Sequence, residues 1–269
     1  TVAWWTRPHV TNRARKVFNT RLHFESSACK IRFLQTLPIR ETYSKSRQRL
    51  ELIHNGLCAS MPERSLGGSW YFITFVDDCT RKVWAYSLRS KDKALVVFSR
   101  WLAEVENRTR QRVKTLRSYN GGEYTSQAFK QYLLNKGIRH QKTVSYTPMQ
   151  NEVTEPINRT IQERVTTMLQ HASLKLEFWA EAVHTAIYLI NLSPSKAIKL
   201  HVPQAVWLRT QLNYKGLCIF GFEAYAHIPR EKKDKASAPL EKVHLSRLWD
   251  RRQLRLLTLG PRAQKANQK

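Results

Sequence analysis

Acidic residues are scarce in this chain. Only 20 of its 269 residues are Asp or Glu, against 46 Lys and Arg, and the formal net charge at pH 7 is +26. An excess of cationic side chains on this scale is typical of proteins that bind polyanions, and nucleic acid is the commonest polyanion inside cells. The charge therefore favours nucleic acid, either DNA or RNA, as the partner. The alternative is that acidic residues were lost by drift without selection.

Cysteines and long apolar runs are also few. The longest stretch without a charged residue, Ala182–Ser195, has 14 residues, which is short of the ~20 that cross a bilayer. No signal-peptide pattern opens the sequence. The cysteines are too widely spaced to predict a disulfide framework: Cys29, Cys58, Cys79 and Cys218. We therefore expect a nuclear or cytoplasmic protein that is neither secreted nor bound to a membrane.

The middle of the chain has the hydrophobic content and periodicity of a folded α/β domain. Apolar residues make up 42% of the sequence, enough for a sizeable core. Alternating patterns and turn signals predict strands near residues 50–57, 69–76, 82–88, 112–117 and 138–142. Helical periodicity predicts four helices, over residues 90–105, 125–137, 151–172 and 177–191. Three strands in sequence followed by αβ alternation predict a mixed five-stranded sheet flanked by helices.

Both ends of the chain are basic and lack this periodicity. Residues 1–50 contain 11 Lys and Arg with two acids, and residues 230–269 contain 12 with four acids. Such segments are typical of extended or poorly folded basic arms. We predict a basic N-terminal segment at 1–46, a central domain at 47–210 and a basic C-terminal extension at 211–269.

Five blocks of the sequence carry a family resemblance. They read GGSWYFITFVDDCTRKVWAYSLRSKDKA, LRSYNGGEYTSQAF, YTPMQNEVTEPINRTI, FWAEAVHTAIYLINLSPS and FGFEAYAHIP. In this order and at this spacing they closely resemble the integrase region of copia-type LTR retrotransposon Pol polyproteins. The resemblance implies a ribonuclease-H-like fold, DNA as substrate, a two-metal strand-transfer site that uses Mg²⁺ or Mn²⁺, and allows a homo-oligomer.

The catalytic carboxylates of that family are mostly replaced here. Two divalent cations ~4 Å apart must hold the attacking and leaving oxygens of a phosphodiester, and such cations favour carboxylate ligands. The resemblance places three acids at positions occupied by Gly56, Tyr119 and Glu155. Only Glu155 can still serve as a catalytic and metal-binding carboxylate, so we expect no bound metal pair.

Two other acids, Asp77 and Asp78, follow the second predicted strand. If Gly56 lies opposite residues near Trp70, Asp77 is ~20 Å further along the sheet at the usual strand rise. We therefore expect both acids to bind backbone donors in the turn rather than metal.

We also expect His54, His140 and His184 to be core or rim residues isolated from acids, and Trp70 to belong to the core.

The resemblance further implies DNA contacts and a zinc module. Amides and guanidinium groups suit phosphates and base edges, and those at family DNA-contact positions are Asn120, Lys142, Gln150, Asn151, Asn158 and Arg159. A solvated helix face with a polar loop is the alternative for these residues. Of the four zinc ligands that a structural site needs, only His9 and Cys29 match, so we do not expect zinc to bind.

Three interpretations of function remain open at this point. The first is an integrase-type protein for nucleic-acid binding and DNA integration whose polynucleotidyl-transferase activity is lost with two acidic ligands. The second is a non-catalytic DNA- or RNA-binding protein on a former integrase fold. The third is a decayed transposon reading frame without a selected function.

Overall fold

The structure is a computed structural model, and it describes residues 46–142, 153–214, 217, 219–221, 223–227, 240–245 and 256–258. Its main sheet has five strands in the order β3-β2-β1-β4-β5. These strands are β1 Leu52–Leu57, β2 Tyr71–Asp77, β3 Val83–Leu88, β4 Thr115–Ser118 and β5 Arg139–Lys142. The first three form an antiparallel meander, and β1, β4 and β5 run parallel. The predicted mixed α/β sheet is confirmed.

Six helices accompany this sheet in the described part of the chain. They are α1 Ala94–Thr109, α2 Gly122–Thr125, α3 Gln127–Lys136, α4 Thr154–His171, α5 Trp179–Leu192 and α6 Pro203–Leu208. Ser126 caps α3 by accepting a hydrogen bond from the backbone N–H of Phe129, and the helix ends at Gly137 in the left-handed conformation, as the sequence predicts. The sequence also predicts Ser90 as a helix N-cap, but Ser90 makes no side-chain capping bond. None of the helices described is both long and apolar enough to cross a membrane.

The sheet has a hydrophobic core on each face. On one face, which we call the α1–α3 face, Ile73 and Phe75 pack against Phe98 and Phe129. On the other, the α4–α5 face, strand residues such as Phe72 pack against the two long helices. Because side chains alternate along a strand, β2 and β3 contribute to both cores.

The sequence predicted the strands better than their register. Gly56 pairs with Thr74 rather than with residues near Trp70, because the hairpin turns tightly at Ser65–Ser69. Asp77 is therefore only three positions from the partner of Gly56, which is ~10 Å at the usual strand rise, and the expected separation is wrong. Trp70 is 38% exposed at the start of β2, so its assignment to the core is also wrong.

The C-terminal segment contains structure that the sequence did not predict. Strands β6 Glu223–His227, β7 Leu240–Leu245 and β8 Leu256–Thr258 form a three-stranded antiparallel sheet. The expectation of an extended or poorly folded basic arm at residues 230–269 is therefore wrong for β7 and β8, since short strands of six and three residues leave little periodicity to detect. Residues 1–45 lie outside the described part, and the predicted domain boundaries stay predictions.

A buried asparagine closes the free edge of the sheet at β3. The side chain of Asn191 on α5 accepts a hydrogen bond from the Val83 N–H at 2.8 Å and donates one to the Val83 carbonyl oxygen at 2.7 Å. Because the pairing satisfies two backbone groups at an otherwise unpaired edge, Asn191 has a structural role.

We expect Asn191→Ala to lower the free energy of unfolding by about 3 kcal/mol, because both Val83 groups lose their buried partner. Urea titration followed by circular dichroism measures this change. Asn135→Ala, at an exposed position on α3, is the control and should change stability by about 0.5 kcal/mol or less. Equal losses in the two variants would contradict the assignment.

Candidate functional site

The ends of β1 and β4 bring the first two family positions together. These strands pair in parallel with His54 opposite Arg117, and Gly56 and Tyr119 each follow two residues later. Both positions belong to the α4–α5 face. Gly56 lies against Thr154 on α4. Tyr119 follows Arg117 by two residues, and Arg117 alternates with Leu116, which packs in the α1–α3 core. Glu155 comes from the first turn of α4. We call these three residues the Gly56–Tyr119–Glu155 site.

Tyr119 and Glu155 are in direct contact. The phenol of Tyr119 donates a hydrogen bond of 2.6 Å to Glu155 Oε1. A bond to an ionised acceptor is among the stronger hydrogen bonds in proteins. Tyr119, which stands at the position of one family acid, thus binds an oxygen of Glu155 that could otherwise coordinate a metal ion.

Gly56 allows α4 to pack directly on β1. A Cβ atom at position 56 would lie 3.0 Å from Thr154 Cβ, 3.0 Å from Asn158 Nδ2 and 3.3 Å from Thr74 Oγ1. The Thr74 hydroxyl lies 2.9 Å from Asn158 Oδ1 and 3.1 Å from the Gly56 carbonyl oxygen, and its hydrogen can serve either acceptor. The place of the first family carboxylate is thus filled by neighbouring groups.

These residues do not fit a pair of divalent cations. Gly56 offers no side-chain ligand, and the Tyr119 phenol is uncharged near neutral pH. Across residues 46–142 and 153–214, no group of three or more His, Cys, Asp or Glu could hold a metal ion. One carboxylate from the site cannot offset the mutual repulsion of two Mg²⁺ ions.

The predicted DNA contacts occupy different surroundings. Asn120 and Arg159 are exposed, and Arg159 lies one helical turn after Glu155 on α4, so the two share a helix face. Asn158 turns inward to Thr74. Lys142 alternates with Gln141, which contacts Arg117, and so belongs to the opposite face of the sheet.

The remaining sequence-predicted site residues cannot be placed. Gln150, Asn151, His9 and Cys29 lie outside the residues that the structure describes. The roles assigned to them, and to the other predicted DNA contacts, stay predictions.

A row of polar side chains crosses the α4–α5 face beside the site, and the sequence did not predict it. His54 Nε2 lies 3.0 Å from Asp78 Oδ1, and the same oxygen lies 3.2 Å from Arg81 Nη1. Across the next strand pair, Arg117 donates to Gln141 Oε1 from Nε at 3.2 Å and from Nη2 at 2.9 Å. His54 is buried as expected, but its expected isolation from acids is wrong.

Asp77 and Asp78 bind backbone donors, as the sequence predicts. Asp77 accepts hydrogen bonds from the N–H groups of Leu50 and Thr80, each at 2.8 Å. Asp78 Oδ2 accepts one from the Ser46 N–H at 2.7 Å. The two carboxylates thus fasten the segment before β1 to the β2–β3 turn.

The pKa values of the buried pair are both lowered. Burial lowers the pKa of His54, although its hydrogen bond to Asp78 opposes the shift. Burial alone would raise the pKa of Asp78, but the hydrogen bond from His54 and the charge of Arg81 outweigh it and hold the pKa well below its ordinary value. The folded protein therefore favours neutral His54 beside ionised Asp78.

We expect acid to destabilise the fold through His54. Its pKa is lower in the folded chain than its ordinary value of 6.5, so the unfolded chain takes up the proton first and stability falls as the pH drops below that value. His54→Gln, which keeps a donor for Asp78, should flatten the fall in unfolding free energy between neutral pH and pH ~5. His140, whose pKa burial also lowers, leaves a residual slope in both proteins. Identical slopes would rule out the role of His54.

Comparisons with known proteins agree with this fold. The family model described as integrase core domain matches residues 61–148. Over 200 residues, 73% of this chain, the sequence is 46% identical to a retrovirus-related Pol polyprotein from transposon TNT 1-94 of Nicotiana tabacum. Over 217 residues, 80% of this chain, it is 33% identical to one from transposon RE2 of Arabidopsis thaliana. The chain spans about 15% of the length of each of these relatives.

A solved structure shares the architecture. The structure described as a simian T-cell lymphotropic virus intasome in complex with PP2A regulatory subunit B56 gamma matches with a TM-score of 0.52. The match covers 87% of this chain and 85% of that one at 13% identity, which supports the fold alone. With its ribonuclease-H-like mixed sheet and these relatives, the chain belongs to the integrase regions of retrotransposon Pol polyproteins.

Proposed function

We propose that this chain binds nucleic acid as an integrase-type core and does not itself catalyse two-metal strand transfer. DNA is the proposed partner, RNA is the second candidate, and the proposed location is nuclear or cytoplasmic. The observation that carries the proposal is the Gly56–Tyr119–Glu155 site, where a single carboxylate remains and accepts a hydrogen bond from Tyr119.

The charge of the chain supports the binding part of the proposal. A formal net charge of +26 produces a long-range attraction for polyanions, and this attraction does not depend on nucleotide sequence. Exposed cationic side chains such as that of Arg159 on α4 suit phosphate oxygens. We therefore propose that most of the binding energy comes from phosphates.

The ligand set supports the catalytic part of the proposal. In the family pattern Mg²⁺ or Mn²⁺ would activate and position the reacting oxygens, and three carboxylates would hold the ions. Here Glu155 alone supplies a negative charge, and Thr154 and Asn158 fill the space beside Gly56. We propose that the metal pair does not bind at physiological concentrations.

Self-association on DNA, as in an intasome, is a further proposal for the chain.

One experiment tests both parts. A fluorescent duplex is titrated with the full chain in EDTA and followed by anisotropy, and parallel samples with Mg²⁺ are assayed for joining of the duplex to plasmid. We expect saturable binding in EDTA and no joined product. The absence of binding at low salt would overturn the binding part, and joined product that disappears in Glu155→Gln would overturn the catalytic part.

A further inference from the structure

We propose that the Gly56–Tyr119–Glu155 site, which in the family pattern collects metal ions, binds a nucleic-acid phosphate directly and without metal in this chain. The inference rests on the proposed nucleic-acid binding and deepens it, because it names where one phosphodiester group is held and by which side chains.

The loss of two acids changes the sign of the local charge. Three carboxylates at one place would repel a phosphate unless divalent cations stood between them. In this chain the site keeps one carboxylate, Glu155, and Tyr119 donates a hydrogen bond to it. The repulsion that metal ions normally offset is therefore largely absent.

The strand that Tyr119 follows and the helix that carries Glu155 each contain an arginine. Arg117 lies two residues before Tyr119 on the same face of the sheet, and both of its hydrogen bonds to Gln141 Oε1 orient the guanidinium group. Arg159 is exposed one helical turn after Glu155. Arg117 and Arg159 bring two positive charges to these elements, against the one negative charge of Glu155. A planar guanidinium group is suited to bidentate phosphate contacts.

In the family pattern, phosphate binding at this site needs metal ions to offset the carboxylates. In this chain we expect phosphate binding without metal. A phosphate can approach Arg117 and Arg159 in EDTA, so divalent ions are not required for binding. An acid restored at position 119 would face the phosphate and weaken binding when metal is absent. The effect would come from the charge of the new side chain and not from the loss of the tyrosine ring.

Three variants of the full chain test the proposal by anisotropy with a fluorescent duplex at low salt in EDTA. Tyr119→Asp adds one negative charge at the site, Tyr119→Asn has the same shape without the charge, and Asn135→Asp adds the same charge at an exposed position on α3 of the opposite face. We expect Tyr119→Asp to bind about tenfold more weakly than the unmodified chain. Tyr119→Asp should also bind several-fold more weakly than Tyr119→Asn, and Asn135→Asp should bind within about twofold of the unmodified chain.

The outcomes separate this proposal from the proposed function. If the unmodified chain binds the duplex but Tyr119→Asp and Asn135→Asp weaken binding equally, the phosphate site is wrong and general nucleic-acid binding stands. If the unmodified chain does not bind at low salt, both are wrong. If Mg²⁺ at constant ionic strength strengthens binding by the unmodified chain in a way that Glu155→Gln abolishes, the metal-independent site is wrong.

A second pair of variants keeps the test decisive if Tyr119→Asp fails to fold. Arg159→Gln removes one of the two proposed phosphate contacts, and Arg108→Gln removes an exposed arginine that pairs with Glu104 on α1. We expect about fivefold weaker binding for Arg159→Gln and a salt slope lower by about one, with little change for Arg108→Gln. Equal effects of the two substitutions would overturn the proposal.

Discussion

The unmodified chain is expected to give no 3′-processing and no strand transfer, with either Mg²⁺ or Mn²⁺. The Gly56–Tyr119–Glu155 site has one carboxylate where the family pattern has three. The Tyr119 phenol also donates a hydrogen bond of 2.6 Å to Glu155 Oε1. Two divalent ions that close together repel each other strongly unless carboxylates surround them. We therefore expect the reaction to lack the ions that would hold its attacking and leaving oxygens.

Restoring activity should require both acids at once. Gly56→Asp or Tyr119→Asp alone leaves two carboxylates for two cations, and we expect no joined product from either variant. The double variant should give metal-dependent product, at a cost in stability. A side chain at position 56 meets Thr154 Cβ and Asn158 Nδ2, each at 3.0 Å, so the first turn of α4 must move by a few tenths of an ångström.

The assay is joining of a labelled oligonucleotide to plasmid, with circular dichroism to verify that each variant is folded. The double variant combined with Glu155→Gln is the matched control, and it should lose all product. Adding Asn158→Ala to the double variant removes the contact between Asn158 Nδ2 and the new side chain, which tests whether that contact limits recovery. Product from either single variant would show that two carboxylates suffice.

The second large expected effect is the dependence of DNA affinity on salt concentration. We expect the affinity of the full chain for duplex DNA to fall about 10³-fold or more between ~50 and ~200 mM monovalent salt if six or more phosphates are neutralised. The physical reason is the release of condensed counterions, which becomes less favourable as the bulk salt concentration rises. The chain's charge of +26 makes such a number of contacts reachable.

Anisotropy titrations at several salt concentrations give the slope of log affinity against log salt. Two duplexes of unrelated sequence serve as the matched pair, and their affinities should agree within about threefold if phosphates dominate the binding. A flat response to salt would contradict phosphate-dominated binding. A large difference between the duplexes would show that base contacts contribute more than the account allows.

Local patterns in the sequence predicted the sheet but not the contacts that depend on register. Strands such as Tyr71–Asp77 are rich in aromatic and β-branched residues, so their existence and approximate bounds follow from composition. Register depends on the turn, and here the turn forms at Ser65–Ser69 with Gly68 in the left-handed conformation. An error of four positions moved Asp77 away from Gly56 in the prediction.

The polar row beside the site was unpredictable for the same reason. His54 and Asp78 lie 24 residues apart, and no spacing rule connects two residues on separate strands. Only the observed pairing of His54 with Val76 places the imidazole next to the turn that carries Asp78. Burial then lowers the pKa of His54, whereas the hydrogen bond from His54 and the charge of Arg81 lower the pKa of Asp78. The sequence alone shows neither effect.

The meeting of Tyr119 and Glu155 was expected from the resemblance, but the nature of their contact was not. Family spacing places both residues at the same end of the sheet. It does not indicate that the phenol of Tyr119 donates to the carboxylate of Glu155, or that Asn158 turns inward to Thr74. The contact of Asn158 with Thr74 lies beside Gly56, where the absence of a side chain allows α4 to pack closely on β1.

The proposed loss of the metal pair is tested most directly by titrating Mn²⁺ into the full chain and into its Glu155→Gln variant. Electron paramagnetic resonance counts the bound ions. Mn²⁺ can replace Mg²⁺ at oxygen-ligand sites, and two ions in one site give a spin-coupled signal. We expect weak binding without spin coupling, and the same titration curve for both proteins. Two tightly bound, spin-coupled Mn²⁺ ions per chain that Glu155→Gln abolishes would contradict it.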